Sequence, residues 1–126
     1  MYDKNLIVDL LCNIEDSLAL IIGQTAHIRS ANDFISTPEG IFTLNGVCMN
    51  LFVTGEAVKN INRHTGKELL SKYPSVPWQD IMRMRDKIAH HYFDIDAEKV
   101  FDILRNDVPP LLAVIKQIKE DLCRTN

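Results

Sequence analysis

The sequence predicts an all-α fold, an antiparallel bundle of four to five helices. Apolar residues recur at alternating spacings of three and four through most of the chain, which is the period of an α-helix. No segment shows the two-residue alternation of a half-buried strand. The breaks between the apolar stripes are short, and short connections favour antiparallel neighbours. The 126 residues, 46% of them hydrophobic and 25% charged, suit a single domain over residues 1–126 with its own core.

The first helix is predicted to run from about Asp3 to Phe34. Its apolar face is one stripe with alternating spacings of four and three residues. That stripe consists of Ile7, Leu11, Ile14, Leu18, Ile21, Thr25 and Ile28.

A second helix is expected to begin at Pro38 and to end near Asn62. Thr37 is a suitable N-cap, Pro38 fits the first turn, and Glu39 favours the positive end of the helix dipole. The small residues of Gly55-Glu56-Ala57 would let a neighbouring helix approach closely.

The remaining elements follow from breaks in the pattern. Residues 63–77 carry Gly66 and two prolines and predict a loop with one short helical turn. Helical periodicity resumes at Trp78, and Asp96 is a candidate N-cap for a further helix. Pro109-Pro110 must kink or restart that helix before the last apolar stripe.

Composition also bears on location and partners. The longest apolar run, Leu18 to Ile22, falls far short of the roughly 20 residues of a membrane helix, and we expect a cytoplasmic protein with no membrane partner. Cys12, Cys48 and Cys123 are widely spaced and are interpreted as reduced thiols. A net charge of −3 argues against bulk electrostatic coating of nucleic acid, so any RNA contact must be a local patch.

The strongest local excess of cationic and proton-transferring groups lies on the third predicted helix, between Arg83 and Tyr92. Asp86 and His90 are four residues apart, so the carboxylate could orient the imidazole and set its tautomer. Arg85 and His90 are five apart and diverge by about 140° on a straight helix. Either the helix unwinds near Ala89, or two protomers share one site. Taken alone, this spacing also fits a solvated helix face.

The segment resembles a known motif. Its residues are Arg85-Asp86-Lys87-Ile88-Ala89-His90-His91-Tyr92, which match Arg-x4-His-x-Tyr of the HepT-like branch of the HEPN family. The resemblance extends over most of the chain, because further segments are similar to HepT-like sequences in the same order. These segments are Gly55-Glu56-Ala57, Val76-Pro77-Trp78, Ile81 to Arg85, and Ile95-Asp96.

The resemblance implies a metal-independent endoribonuclease that needs no cofactor, the toxin of a toxin–antitoxin pair acting on RNA. It assigns acid/base catalysis to His90 and phosphate binding to Arg85, with both residues repeated across a two-fold homodimer. It also implies that Tyr92 is adenylylated by a nucleotidyltransferase antitoxin, which blocks RNA. Asp86 departs from the family pattern, where this position is often Asn. Its extra negative charge would weaken RNA binding or tune His90.

Other interpretations remain open. The alternative function is a catalytically silent helical module that binds the nucleotidyltransferase, and a third is a plain helical dimer with a scaffolding role. A metal site formed by His90-His91 with Asp94 and Asp96 is disfavoured, because adjacent helical residues diverge and the spacing matches no established ligand set. Trp78 and Glu56 are interpreted as structural. Scattered surface charge explains five further basic residues, which are Lys59, Arg63, His64, Lys67 and Lys72.

Overall fold

The computed structural model describes residues 2–124, which contain helices and no strand. The predicted all-α bundle is therefore confirmed. Its α-helices are α1 (Lys4–Gln24), α2 (Asn32–Ile35), α3 (Pro38–His64), α4 (Glu68–Ser71), α5 (Trp78–His90), α6 (Ala97–Asp102) and α7 (Val108–Arg124). A 3₁₀ turn covers Tyr92–Asp94 and a π-helical segment covers Ile103–Asp107.

Helix α1 begins as predicted but ends ten residues before the predicted Phe34. The Asp3 carboxylate accepts hydrogen bonds from the backbone N–H groups of the first turn, and the helix stops at Gln24. The chain then turns, and the Ile28 N–H donates to the Thr25 carbonyl at 2.9 Å. Ile28 is nevertheless buried, because the turn folds it back onto the core. The apolar spacing therefore continues past the point where the helix ends.

Helix α3 is the central element and packs against α1, α2, α4, α5 and α6. It begins as predicted, since the Thr37 hydroxyl accepts a hydrogen bond from the Gly40 N–H at 3.0 Å and Pro38 opens the first turn. Among residues 2–124 it is the one helix long and apolar enough to cross a membrane by length and composition. The core helix of a soluble bundle has the same properties, and nine residues of α3 are buried.

Helices α3 and α5 come into close contact at Gly55. A Cβ atom at this position would lie 2.4 Å from the Cβ of Arg85 and 3.2 Å from the carbonyl oxygen of Ile81. The absence of a side chain thus allows the backbone of α3 to meet α5 directly, as the small residues predicted. The two helices run antiparallel, because Lys59 pairs with Asp86 while Asn45 bonds to Tyr92.

The connection between α3 and α5 contains the predicted short turn. Gly66 and Lys67 have positive φ angles of 60° and 67°, and they reverse the chain before α4. The Tyr73 hydroxyl then donates to the Asp121 carboxylate at 2.6 Å, which fastens the loop to α7. Burial, and to a smaller extent the hydrogen bond to Asp121, raises the pKa of Tyr73 to about 12. The indole of Trp78 donates to the Tyr73 carbonyl and anchors the start of α5.

The predicted restart before the last helix takes the form of a π-helical segment. Asp96 caps α6 as expected, accepting from the Glu98 N–H at 2.9 Å. Further on, the Val108 N–H donates to the Ile103 carbonyl, an i to i+5 bond. Pro109 and Pro110 lack N–H donors, so a regular α-helical ladder cannot run through them. The wider turn lets the chain pass the prolines without ending the helical run.

Replacing Gly55 by alanine should destabilise the protein by about 1–3 kcal/mol, because the added methyl group must push α5 away from α3. Chemical denaturation would measure the free energy of unfolding. Gly23→Ala is the matched control, since a Cβ there meets nothing within 4 Å and alanine favours a helix by up to ~1 kcal/mol. Equal stability of the Gly55 variant and wild type would contradict the close-contact account.

Candidate active site

Three motif residues lie on the second half of α5. Arg85, Asp86 and His90 belong to one regular helix that ends at His90, while His91 caps it and Tyr92 opens the 3₁₀ turn. The helix does not unwind near Ala89. Within one chain, Arg85 and His90 therefore remain about 140° apart around the helix axis.

Arg85 is held by two contacts to α3 and one to its neighbour Asp86 on α5. Its Nε donates to Glu56 Oε1 at 2.8 Å, and one terminal nitrogen donates to Asp86 Oδ1 at 3.1 Å. The guanidinium also lies over the ring of Phe52, 4.9 Å from its centroid. Only 20% of the Arg85 side chain is exposed. This environment fixes the orientation of the guanidinium and leaves part of the side chain accessible to solvent.

Asp86 joins this cluster instead of orienting the histidine. Its Oδ1 accepts from Lys59 Nζ at 2.9 Å as well as from Arg85. The Lys59 ammonium, with a smaller effect of Arg85, holds the pKa of Asp86 below its ordinary value. Within residues 2–124, Asp86 makes no hydrogen bond to His90, so the predicted carboxylate–imidazole pair is not formed. The spacing of residues around Asp86 could not predict this pair, because Lys59 lies 27 residues away in the sequence.

The two histidines lie at the exposed end of α5. The side chain of His90 makes no hydrogen bond or ion pair within the described part of the chain, and it is exposed. His91 Nδ1 lies 3.9 Å from Asp94 Oδ2, a loose contact between two exposed groups. The imidazole of His90 is thus available to an incoming molecule from solvent.

Tyr92 points back to the N-terminal half of α3. Its hydroxyl donates a hydrogen bond to Asn45 Oδ1 and lies beside the buried Cys48 thiol. Burial raises the pKa of Tyr92, and Cys48 raises it further. Burial also raises the pKa of the Cys48 thiol. Both groups are therefore protonated at neutral pH, and 37% of Tyr92 remains exposed.

One stripe of α3 supports both motif ends. Asn45, Cys48, Phe52 and Glu56 follow at intervals of three or four and contact either Tyr92 or Arg85. Glu56 pairs with a nearby cation, as its structural interpretation anticipated, and that cation is Arg85. The supporting roles of Asn45, Phe52 and Lys59 were not predicted from the sequence. The only signal for them is their regular helical spacing on α3.

An apolar surface adjoins this stripe. Phe42 is 81% exposed, Met49 60%, Val53 38% and Phe93 100%. The three α3 residues lie at i, i+7 and i+11, so they share one side of the helix. We call these four residues the exposed apolar face. Large exposed apolar groups in one patch mark an interaction surface.

Replacing Lys59 by alanine should raise the pKa of Asp86 toward its ordinary value, because the ammonium is the main cause of the depression. Titration of the Asp86 side-chain carboxyl by NMR would measure the change. Lys67→Ala is the control, because that lysine makes no side-chain contact with Asp86. An unchanged Asp86 titration in the Lys59 variant would mean that the pair does not form in solution.

The chain matches known ribonuclease sequences. A family model described as ribonuclease HepT-like matches residues 14–118. The chain is 42% identical over 80 residues to a candidate RNase of Methanocaldococcus jannaschii, covering 64% of this chain and 63% of that protein. It is 30% identical over 112 residues to a probable ribonuclease HepT of Thermococcus cleftensis, covering 89% and 94%.

A third relative, a candidate RNase of Caldanaerobacter subterraneus subsp. tengcongensis, is 34% identical over 89 residues, which cover 71% of this chain and 73% of that protein. The match to the Methanocaldococcus jannaschii protein spans slightly less than two thirds of that protein. No solved structure matches the chain significantly. The family model covers most of the helical bundle, from α1 into α7, including the whole Arg-x4-His-x-Tyr segment. The chain therefore belongs to the ribonuclease HepT-like family.

Proposed function

We propose that this protein is a metal-independent endoribonuclease and the toxin of a toxin–antitoxin pair in the cytoplasm. Membership in the ribonuclease HepT-like family supports RNA as the substrate class. The observation that carries the residue assignment is the contrast between Arg85 and His90. Arg85 is held in place by Glu56 and is partly exposed, and His90 stands exposed without a hydrogen-bond or ion-pair partner in the described residues.

The chemistry needs two kinds of group, the imidazole of histidine and the guanidinium of arginine. His90 removes the proton of a ribose 2′-hydroxyl, whose oxygen attacks the adjacent phosphorus, and the bond to the 5′-oxygen breaks. The His90 of the second copy, in its protonated form, gives a proton to that leaving oxygen. Arg85 donates hydrogen bonds to the phosphate oxygens as negative charge develops on them.

A two-fold homodimer would bring these groups together. Arg85 and His90 point in different directions on one helix, whereas two copies of α5 side by side can place the histidine of one near the arginine of the other. The exposed apolar face supports this arrangement, because Phe93 lies three residues after His90 and the face adjoins the stripe that holds Arg85. Burying four large apolar side chains would favour association.

RNA must compete for the guanidinium. Glu56 and Asp86 both accept hydrogen bonds from Arg85. Without RNA, the positive charges of Arg85 and Lys59 are therefore balanced by these two carboxylates. A phosphate could take the place of Asp86, whose bond to Arg85 is the longer of the two at 3.1 Å. Asp86 would then keep Lys59 as its partner. Asp86 thus contributes to the site by binding Lys59 and Arg85.

We propose Tyr92 as the adenylylation site, because it holds the tyrosine position of the Arg-x4-His-x-Tyr motif. A nucleotidyltransferase antitoxin would reach the hydroxyl on its exposed side and attach a phosphate-bearing nucleotide to it. The raised pKa of Tyr92 means that the transferase must remove the hydroxyl proton as it forms the bond. The attached nucleotide would lie on the same α3 stripe as Arg85 and repel RNA.

Purified protein should cleave RNA in excess chelator, after intact mass has shown that Tyr92 is unmodified. Arg85→Ala and His90→Ala should each lower the rate by about 10²-fold or more, because each removes one of the groups that the reaction uses. Arg29→Ala and His27→Ala are matched controls in the turn after α1. Absence of cleavage by the unmodified wild type would support the silent nucleotidyltransferase-binding module instead.

Phe42→Glu should convert a dimer into a monomer, because it would place a charge within the proposed apolar interface. Light scattering should give twice the 14.4 kDa chain mass for wild type and once that mass for the variant. Leu20→Glu, at an exposed apolar residue of α1, is the control. A monomeric wild type would overturn the shared site.

Tyr92→Phe should leave cleavage intact and prevent neutralisation by the nucleotidyltransferase, because the hydroxyl is the acceptor and takes no part in the chemistry. Incubation with ATP and a candidate nucleotidyltransferase antitoxin, followed by intact mass measurement, would test it. Tyr73→Phe is the control, since its hydroxyl is engaged with Asp121 far along the chain. Adenylylation that persists in the Tyr92 variant would place the acceptor elsewhere.

A further inference from the structure

A groove of about 670 Å³ lies between α3, α5, the π-helical segment and the start of α7. Its size falls within the range of sites that hold small organic molecules. The walls are mainly apolar, and Thr54 lies among them with a buried hydroxyl that has no hydrogen-bond partner within residues 2–124. Among the apolar lining residues are Leu51, Ile81, Met84, Ile103, Val108 and Leu111.

The rim of the groove is cationic. Arg83, Lys87 and Lys99 line it, against the carboxylates of Asp80 and Asp107. Arg83 is paired with Asp80 on the exposed surface. The ammonium groups of Lys87 and Lys99 make no ion pair or hydrogen bond in the described part of the chain. An apolar lining that also contains two uncommitted lysines suits a ligand with a flat apolar body and an anionic group.

One residue of the groove lining, Lys87, lies a single helical turn before the proposed catalytic histidine. On α5, Lys87 precedes His90 by three residues, which places them about 60° apart and roughly 4.5 Å apart along the axis. Arg83 precedes Lys87 by four and lies on the same side. A basic edge of α5 thus runs from the groove to His90, on a different side of the helix from Arg85.

We propose that this groove binds one nucleotide of the RNA substrate, next to the bond that is cleaved. The base packs against the apolar floor near Met84, and the phosphates on either side contact Lys87 and Lys99. This inference rests on the proposed ribonuclease function. An acidic peptide could satisfy the lysines, but the continuity of the basic edge with His90 favours the polyanion from whose 2′-hydroxyl His90 removes a proton.

Methyl NMR of the native protein can detect occupancy directly. Titration with adenosine, cytidine, guanosine and uridine monophosphates should shift the methyl signals of Met84 and Ile103, whereas inorganic phosphate should leave them unchanged. In a Lys87→Ala/Lys99→Ala variant these shifts should disappear. The control variant is Lys72→Ala/Lys116→Ala, which removes the same charge from exposed positions outside the groove.

Cleavage then separates this proposal from the proposed function. If wild type cleaves RNA in chelator, the Lys87/Lys99 variant should lose about tenfold or more in kcat/KM while the control variant retains the wild-type value. Equal loss in both variants, or no loss, would overturn the groove as a nucleotide site and leave the ribonuclease assignment standing. Nucleotide-dependent methyl shifts without any cleavage would sustain the groove and overturn the ribonuclease assignment. Methyl shifts caused only by acidic peptides would identify a protein-docking groove and overturn the nucleotide proposal.

Discussion

The close contact of α3 and α5 at Gly55 is the constraint on which the rest of the candidate site depends. With no side chain between them, the two backbones approach until Arg85 lies directly on α3. Glu56, the next residue, is then within hydrogen-bond distance of the guanidinium. The same antiparallel register brings Tyr92 to Asn45 at the other end of the contact. One missing Cβ therefore positions both ends of the motif.

Charge in this contact is balanced by pairs of groups from the two helices. Arg85 and Lys59 face Glu56 and Asp86, so a cation enclosed by a packed helix pair is compensated locally. His90 lies outside this network, on an exposed part of α5. The difference in environment matches the two proposed roles, because a phosphate-binding group benefits from a fixed orientation and a proton-transferring group needs access to substrate.

Three surfaces surround the end of α5 and serve different proposed purposes. The α3 stripe holds Arg85 and Tyr92, the exposed apolar face would be covered by a second copy, and the lysine-rimmed groove would receive RNA. Because α5 is a single rigid helix, these surfaces are fixed relative to one another. Modification of Tyr92 would then place charge close to both Arg85, the proposed phosphate-binding residue, and the proposed dimer surface.

The sequence by itself determined the helical class, the caps at Thr37 and Asp96, the close approach at Gly55 and the restart near Pro109, because each depends on contacts within a few residues or on side-chain size. It overextended α1, since burial of Ile28 preserves the apolar spacing through a turn. Only the tertiary structure decided the partners of Asp86 and Tyr92. Local spacing offered His90 to Asp86, but helix packing supplied Lys59 from 27 residues away, and a nearby ammonium attracts a carboxylate more strongly than a neutral imidazole does.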